Sequence, residues 1–174
     1  MKKERVTVEE CDIAFLYAHE QHLNTYCDAD MWADNAEHLH VVNVDGNAAG
    51  FIIYHEDAMV DDALFIAQIE VFEKFKRQGI GRATIECLLQ KHPDVEHITG
   101  DALFAAVPFW DSLGASFSNG GTFSVTEALL WAKGEDEELC ETLYDKYWDH
   151  SLAFTLDVKE LLLQNSELEE EVSL

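Results

Sequence analysis

Ten residues, Lys74-Phe75-Lys76-Arg77-Gln78-Gly79-Ile80-Gly81-Arg82-Ala83, constrain this chain more than any other stretch. Two glycines in G-x-G spacing separate an apolar, strand-like run (63–71) from a helix-like run (82–90). Glycine reaches positive φ without steric cost, so the chain can turn tightly and aim its N–H groups inward. The helix that follows adds a partial positive charge at its N-terminus. Four of the 11 Lys and Arg residues, Lys74, Lys76, Arg77 and Arg82, fall inside the decapeptide, although the formal net charge is -24. A strand, a basic glycine turn and a helix in that order read as an anion site, with phosphate groups as the obvious guest.

The remaining charge excludes some partners. With 35 acidic residues against 11 basic ones, the surface repels nucleic acid and anionic lipid. It attracts cations: polyamines, aminoglycosides, basic protein tails. Solubility, a salty habitat or mimicry of nucleic-acid charge would explain the acidity equally well. A length of 174 residues and a mean hydropathy of -0.14 describe a globular protein with a full core. No apolar run approaches the roughly 20 residues that span a bilayer, and no signal core follows the charged start. Cys11, Cys27, Cys87 and Cys140 form no C-x-x-C. Reduced thiols in a cytoplasmic protein are therefore expected.

In chain order, residues 5–8 suggest a short strand, and Thr7 with Glu10 suggests a capping box for a helix over 9–22. Residues 24–38 read as a polar loop with a short helix. Strands are expected over 39–43 and 49–54, joined by a tight turn at Asp45-Gly46. Further strands are expected over 63–71, 95–102, 116–118 and 123–132, and helices over 81–90 and 105–113. Gly134 marks a shift in composition. Residues 134–174 read as one or two acidic helices added to a domain of residues 1–133, with Leu139, Leu143, Tyr147, Leu156 and Leu163 to bury. This tail leaves a homodimer open.

Two stretches carry a family resemblance. Lys76-Arg77-Gln78-Gly79-Ile80-Gly81 resembles the Gln/Arg-x-x-Gly-x-Gly/Ala cofactor motif of the Gcn5-related N-acetyltransferase (GNAT) superfamily, with Lys in place of Gln or Arg. Ala106-Val107-Pro108-Phe109-Trp110-Asp111-Ser112-Leu113-Gly114-Ala115 resembles its second motif. The resemblance implies an α/β fold: a mixed, mostly antiparallel central sheet flanked by helices, here with the extra acidic C-terminal segment. It implies acetyl-coenzyme A as co-substrate, held between two splayed strands, and no metal. Lys76, Arg77, Gln78, Gly79, Ile80, Gly81, Arg82 and Ala83 would surround its pyrophosphate, with Ile69, Glu70 and Val71 along the pantetheine arm. The reaction implied is direct transfer of an acetyl group to a primary amine of a cationic small molecule or basic protein.

The chemical half of the pattern departs from the family. Amine acetylation needs a base or water chain to take the ammonium proton, a donor to polarise the thioester oxygen and often an acid for the thiolate. The family's Tyr acid is Trp110 here, its Asn is Leu103, and an acidic strand position is Ile98. Glu70 is the candidate catalytic base, with Asp101, His97 or a carboxylate of the 24–38 loop as alternatives. Proximity alone would also supply much of the rate. A catalytically weak interaction protein on the same scaffold is the rival reading. In the family, the 24–38 region walls the acceptor site. Here Tyr26, Asp28, Asp30 and Trp32 would suit a cationic amine. His19-x-x-His22 and His38-x-His40 lack convergent ligands for a metal and read as solvated or capping histidines. Cys87 reads as core and the tryptophans as anchors.

Overall fold

The computed structural model describes residues 5–22, 29–32 and 37–172. Its contacts divide into two units, residues 1–95 and 96–174, each with its own strands and helices. Among the described residues, seven strands, joined in antiparallel pairs within each unit and flanked by helices, make a mixed α/β protein.

The first unit is built on an antiparallel meander: β1 (Val6–Glu10), β2 (His38–Val44), β3 (Asn47–Glu56) and β4 (Ala63–Val71). The Asp45-Gly46 turn between β2 and β3 has φ of 48° and 84°, the left-handed pair that tight hairpins require. On β3 and β4, Ile53 pairs with Gln68 but Tyr54 pairs with Ile66, so Ala67 is the extra residue of a bulge. Gly50 is obligatory here. A Cβ on it would lie 2.0 Å from the carbonyl oxygen of Glu70 on the neighbouring strand.

Side chains alternate across this sheet. One face presents Leu39, Phe51, Ile53 and Phe72 to α1 (Ala14–Ala18) and α2 (Ala29–Trp32), where Leu16 and Ala29 complete a buried cluster. The other face carries His40 and Tyr54. There α3 (Ile80–Lys91) packs along β1 and β4 and buries Ile80, Thr84, Ile85, Leu88 and Leu89.

The expected helix over 9–22 shrinks to α1 and a 3-10 turn at Glu20–His22. Residues 6–10 pair with β2 instead, and Thr7 sits opposite Asn43 rather than capping a helix. Ladder bonds along five residues outweigh one local cap.

The second unit holds β5 (His97–Leu103), α4 (Val107–Ser112), β6 (Ser116–Phe117), α5 (Val125–Lys133), α6 (Glu137–Tyr147), β7 (Ser151–Asp157) and α7 (Val158–Val172). Strand β7 lies between β5 and β6 and is antiparallel to both. Two expectations are corrected here. Residues 125–133 are a helix, not a strand, because Ser124 and Glu127 close a capping box and Gly134 ends it at φ 65°. The region after Gly134 is not wholly helical. Leu152, Phe154 and Leu156 are buried while Ser151, Ala153 and Thr155 are exposed, the period of a strand with one covered face.

Candidate functional site

The segment after β4 does not run straight into α3. Phe72 is extended, Glu73–Phe75 make a 3-10 turn, and Lys76 is extended again. Arg77 then adopts φ 63° and Gly79 φ 75°. For Arg77 that conformation costs about 1–2 kcal/mol, strain that a glycine would not incur.

Gly79 is the N-cap of α3, and no side chain caps that end of the helix. The first turn holds no acidic residue. The first amides of a 12-residue helix therefore lack a side-chain acceptor, at the end where the backbone is partially positive. A Cβ built on Gly79 would meet nothing within 4 Å, so the space over this turn is open to a guest.

The basic side chains are partly engaged locally. Lys76 Nζ lies 2.9 Å from Glu73 Oε2, a bond and charge that hold the exposed Glu73 carboxyl below the usual carboxylate range. Arg82 Nε donates to Glu86 Oε1 at 3.3 Å. Lys74 lies over the Phe75 ring, 5.6 Å from its centroid. The exposed Lys76–Glu73 pair is weakly held, so Lys76 can turn to a polyanion, while the Arg82–Glu86 pair is half-buried. The chemistry of the turn thus fits a pyrophosphate: backbone donors, a helix end and four nearby cations.

Ile69, Glu70 and Val71 form the last three residues of β4, directly before this turn. Glu70 pairs with Phe51, so its side chain shares the face of the sheet covered by α1 and α2. Its Oε2 atom is buried. On the same face, Trp32 packs against the buried cluster with its indole N–H shielded from solvent and without an acceptor among the described residues. Asp30 accepts a hydrogen bond from the Tyr17 hydroxyl at 2.6 Å. Tyr26 and Asp28 lie outside the described residues.

A cavity of ≈ 450 Å³ opens beside the turn, between His19 and His22 on one side and Phe72, Lys74 and Phe75 on the other. The rings of His19 and His22 lie 5.6 and 5.3 Å from that of Phe72. Among the described residues no three His, Cys, Asp or Glu side chains converge as metal ligands.

In the second unit, Trp110 is 3% exposed and stacks on Phe154 with ring centroids 4.1 Å apart. It is a packing residue of that unit. Leu103 ends β5, Ile98 is fully buried within it, and Asp101 is exposed. The His97 Nδ1 atom is buried and has no partner among the described residues.

The His38-x-His40 pair, expected to be solvated or capping, is corrected at His40, which is buried. His38 and His40 are two apart on β2, hence on one face, and both pack against the ring of Tyr54. The partners Tyr54 and His92 come from other elements, which the i, i+2 spacing does not reveal. Burial leads the causes that hold the His40 and His92 imidazoles below their ordinary value, and the same burial pushes the Tyr54 phenol up.

A search of curated protein sequences gives no significant match. Solved structures do match. The ribosomal-protein-S18-alanine N-acetyltransferase from Escherichia coli aligns with TM-score 0.60 and 18% identity, over 88% of this chain and 94% of that one. Rv2747 from Mycobacterium tuberculosis, solved in complex with CoA, aligns with TM-score 0.55 and 16% identity, over 87% and 99%. Diaminobutyrate acetyltransferase EctA from Paenibacillus lautus, in complex with its substrate L-2,4-diaminobutyric acid and coenzyme A, aligns with TM-score 0.53 and 13% identity, over 88% and 95%. At these identities the likeness is one of fold. The family model for the Acetyltransferase (GNAT) family matches residues 6–115. With more than half of its length matched, the chain belongs to the GNAT acetyltransferase family.

Proposed function

We propose that the chain is an acetyl-coenzyme A-dependent N-acetyltransferase whose acceptor is a primary amine on a cationic small molecule or a basic protein. The observation that carries this reading is the uncapped N-terminus of α3, entered through Arg77 and Gly79 at positive φ and flanked by Lys74, Lys76 and Arg82. The coenzyme, when bound, supplies an activated acetyl thioester.

The chain's own residues do the rest. The amides from Arg77 to Ala83, with Gln78, Gly79, Ile80, Gly81 and Arg82 between them, bind the pyrophosphate, and Lys76 and Arg77 add charge. The backbone of Ile69, Glu70 and Val71 orients the pantetheine arm along β4. Glu70 takes the proton from the acceptor ammonium. Its place on the face shared with α1 and α2 supports this, because Trp32 of α2 packs on that face. The amine nitrogen then bonds to the acetyl carbon, the carbon–sulfur bond breaks with its electron pair going to sulfur, and the second proton shed by the nitrogen passes to the leaving thiolate, so the products are the neutral amide and the free thiol. Trp110 cannot protonate that thiolate, since an indole N–H is not a usable acid and the ring is packed on Phe154. The overall charge of -24 supports an acceptor that carries positive charge.

The test is release of free thiol from acetyl-coenzyme A with a panel of polyamines, aminoglycosides, amino acids and basic peptides. Turnover with a cationic amine, lowered at least tenfold in Glu70→Gln with coenzyme binding unchanged, is the expected result. Tight coenzyme binding without turnover on any amine would favour the interaction-protein reading. Its specific support is the buried, packed state of Trp110.

A further inference from the structure

Three rings on the α3 side of the first sheet share one hydroxyl. Tyr54 Oη on β3 lies 3.2 Å from His40 Nε2 on β2 and 3.0 Å from His92 Nε2 at the C-cap of α3. Tyr54 and His40 are 2% and 8% exposed, while His92 is half-buried. The Nδ1 atom of His40 is sealed from solvent and has no partner among the described residues. The ring of His38 stacks on Tyr54 at 5.0 Å. Glu10 on β1, Glu56 on β3 and Lys91 on α3 are the charges that act on the group from the elements packed around it.

A phenol carries one proton, so Tyr54 donates to one imidazole and accepts from the other. The two histidines must therefore hold opposite tautomers when neutral. One arrangement puts the single His40 proton on Nδ1, as a buried N–H with no acceptor. The other leaves Nδ1 as a bare lone pair, and His40 donates from Nε2. A buried N–H without an acceptor is the rarer and costlier orphan. At neutral pH the chain therefore runs His40 Nε2–H to Tyr54 Oη, then Tyr54 O–H to His92 Nε2. His92 keeps its own proton on Nδ1.

We propose that His92, Tyr54 and His40 form a proton-coupled relay, in which protonation of His92 turns the Tyr54 hydroxyl over, switches the tautomer of His40 and thereby loosens the docking of α3 on the first sheet. The balance is one proton from solvent, with no bond between heavy atoms made or broken. His92 gains that proton and donates from Nε2. The Tyr54 oxygen accepts this N–H and turns its own O–H toward His40 Nε2. The single His40 proton leaves Nε2 and, when a transient opening of the group admits water, a proton is delivered to Nδ1, so His40 stays neutral. The acid form thus contains the buried, unpaired Nδ1–H that the neutral form avoids.

The direction of the pH effect follows from the shifts. Burial, then its charged neighbours, holds both imidazoles below the ordinary value of 6.5. The unfolded chain therefore binds more protons as pH falls below that value. The stabilisation of the neutral relay is present above pH 6.5 and is lost as pH falls from there toward the folded values.

Imidazole nitrogen NMR on histidine-labelled full-length protein, titrated from pH 8 to 5, tests the relay. His40 should begin as the Nε2–H tautomer. It should become Nδ1–H, still uncharged, at the same midpoint at which His92 gains its charge. Amide protection factors at Leu88 and Leu89, in the last turn of α3, should fall at least fivefold across that midpoint. In Tyr54→Phe the proton affinity of His92 should rise at least threefold and the His40 tautomer should no longer follow it. If that variant does not fold, His92→Gln gives the same test by removing the trigger: His40 should then keep one tautomer until it is itself protonated. A wild-type His40 that keeps its tautomer while His92 titrates, or a His40 that still switches in His92→Gln, overturns the relay.

Discussion

Gly50→Ala is the most exacting test of how the first sheet is built. The new Cβ would lie 2.0 Å from Glu70 O and 3.1 Å from both Glu70 C and Val71 Cα, where ordinary contact begins at 3.4 Å. All three atoms are backbone, so no side-chain rotation relieves the overlap. Strands β3 and β4 would have to move apart by more than 1 Å, breaking ladder hydrogen bonds on both sides. Two lost bonds at about 1 kcal/mol each and about 1–3 kcal/mol of strain oppose a gain of about 0.4–1 kcal/mol from a less flexible unfolded chain. The net loss is about 2–4 kcal/mol, or a fall in Tm of about 5–15 °C at this chain length. Urea denaturation with Gly79→Ala as a control measures it. The control has open space around its Cβ and only the cost of positive φ, about 1–2 kcal/mol. A Gly50→Ala protein within 1 kcal/mol of wild type would refute the close approach, and with it the seating of Glu70 opposite Phe51.

Other substitutions probe other parts. Arg77→Gly should raise stability by about 1 kcal/mol, by removing the strain at φ 63°, while weakening coenzyme binding; denaturation and calorimetry read the two effects separately. Ser124→Ala should cost about 1 kcal/mol in urea denaturation, because the amide of Glu127 loses its cap. Leu161→Ala should cost about 2–5 kcal/mol, since Leu161 on α7 is fully buried. The Cys11 thiol is pushed up to about 11, first by burial and then by Asp12. It should alkylate more slowly than an exposed cysteine at pH 8, and its stabilising share should fade as pH rises from 9 to about 11.

Much of the fold could be read where local chemistry and tertiary packing agree. Strand 63–71, the Asp45-Gly46 turn and the glycine turn before α3 fall where the residues put them. The errors came from signals that compete. Residues 125–132 are apolar enough to suit a strand, but the Ser124–Glu127 capping box decides for a helix. In residues 151–157 a clean two-residue alternation was hidden between acidic helices, and its partner β5 lies far away in sequence. The first helix gives way because β2, the strand that captures residues 6–10, also lies far along the sequence. For the site, the cradle was legible because a turn writes its geometry into glycines. The face of the sheet that carries Glu70 depends on pairing with Phe51 and on the Ala67 bulge, neither of which a single strand reveals. The His40–Tyr54–His92 group joins three elements and becomes visible only when they pack.

The central claim is that the N-terminus of α3 binds the pyrophosphate of coenzyme A. Titration of the nitrogen-labelled protein with coenzyme A, followed through its backbone amides, tests it most directly. Saturable shifts centred on Gly79, Ile80, Gly81 and Arg82, weakened at least tenfold when Lys76 and Arg77 are both replaced by alanine, are expected. Absence of saturable binding, or shifts centred away from this turn and indifferent to those substitutions, would contradict it.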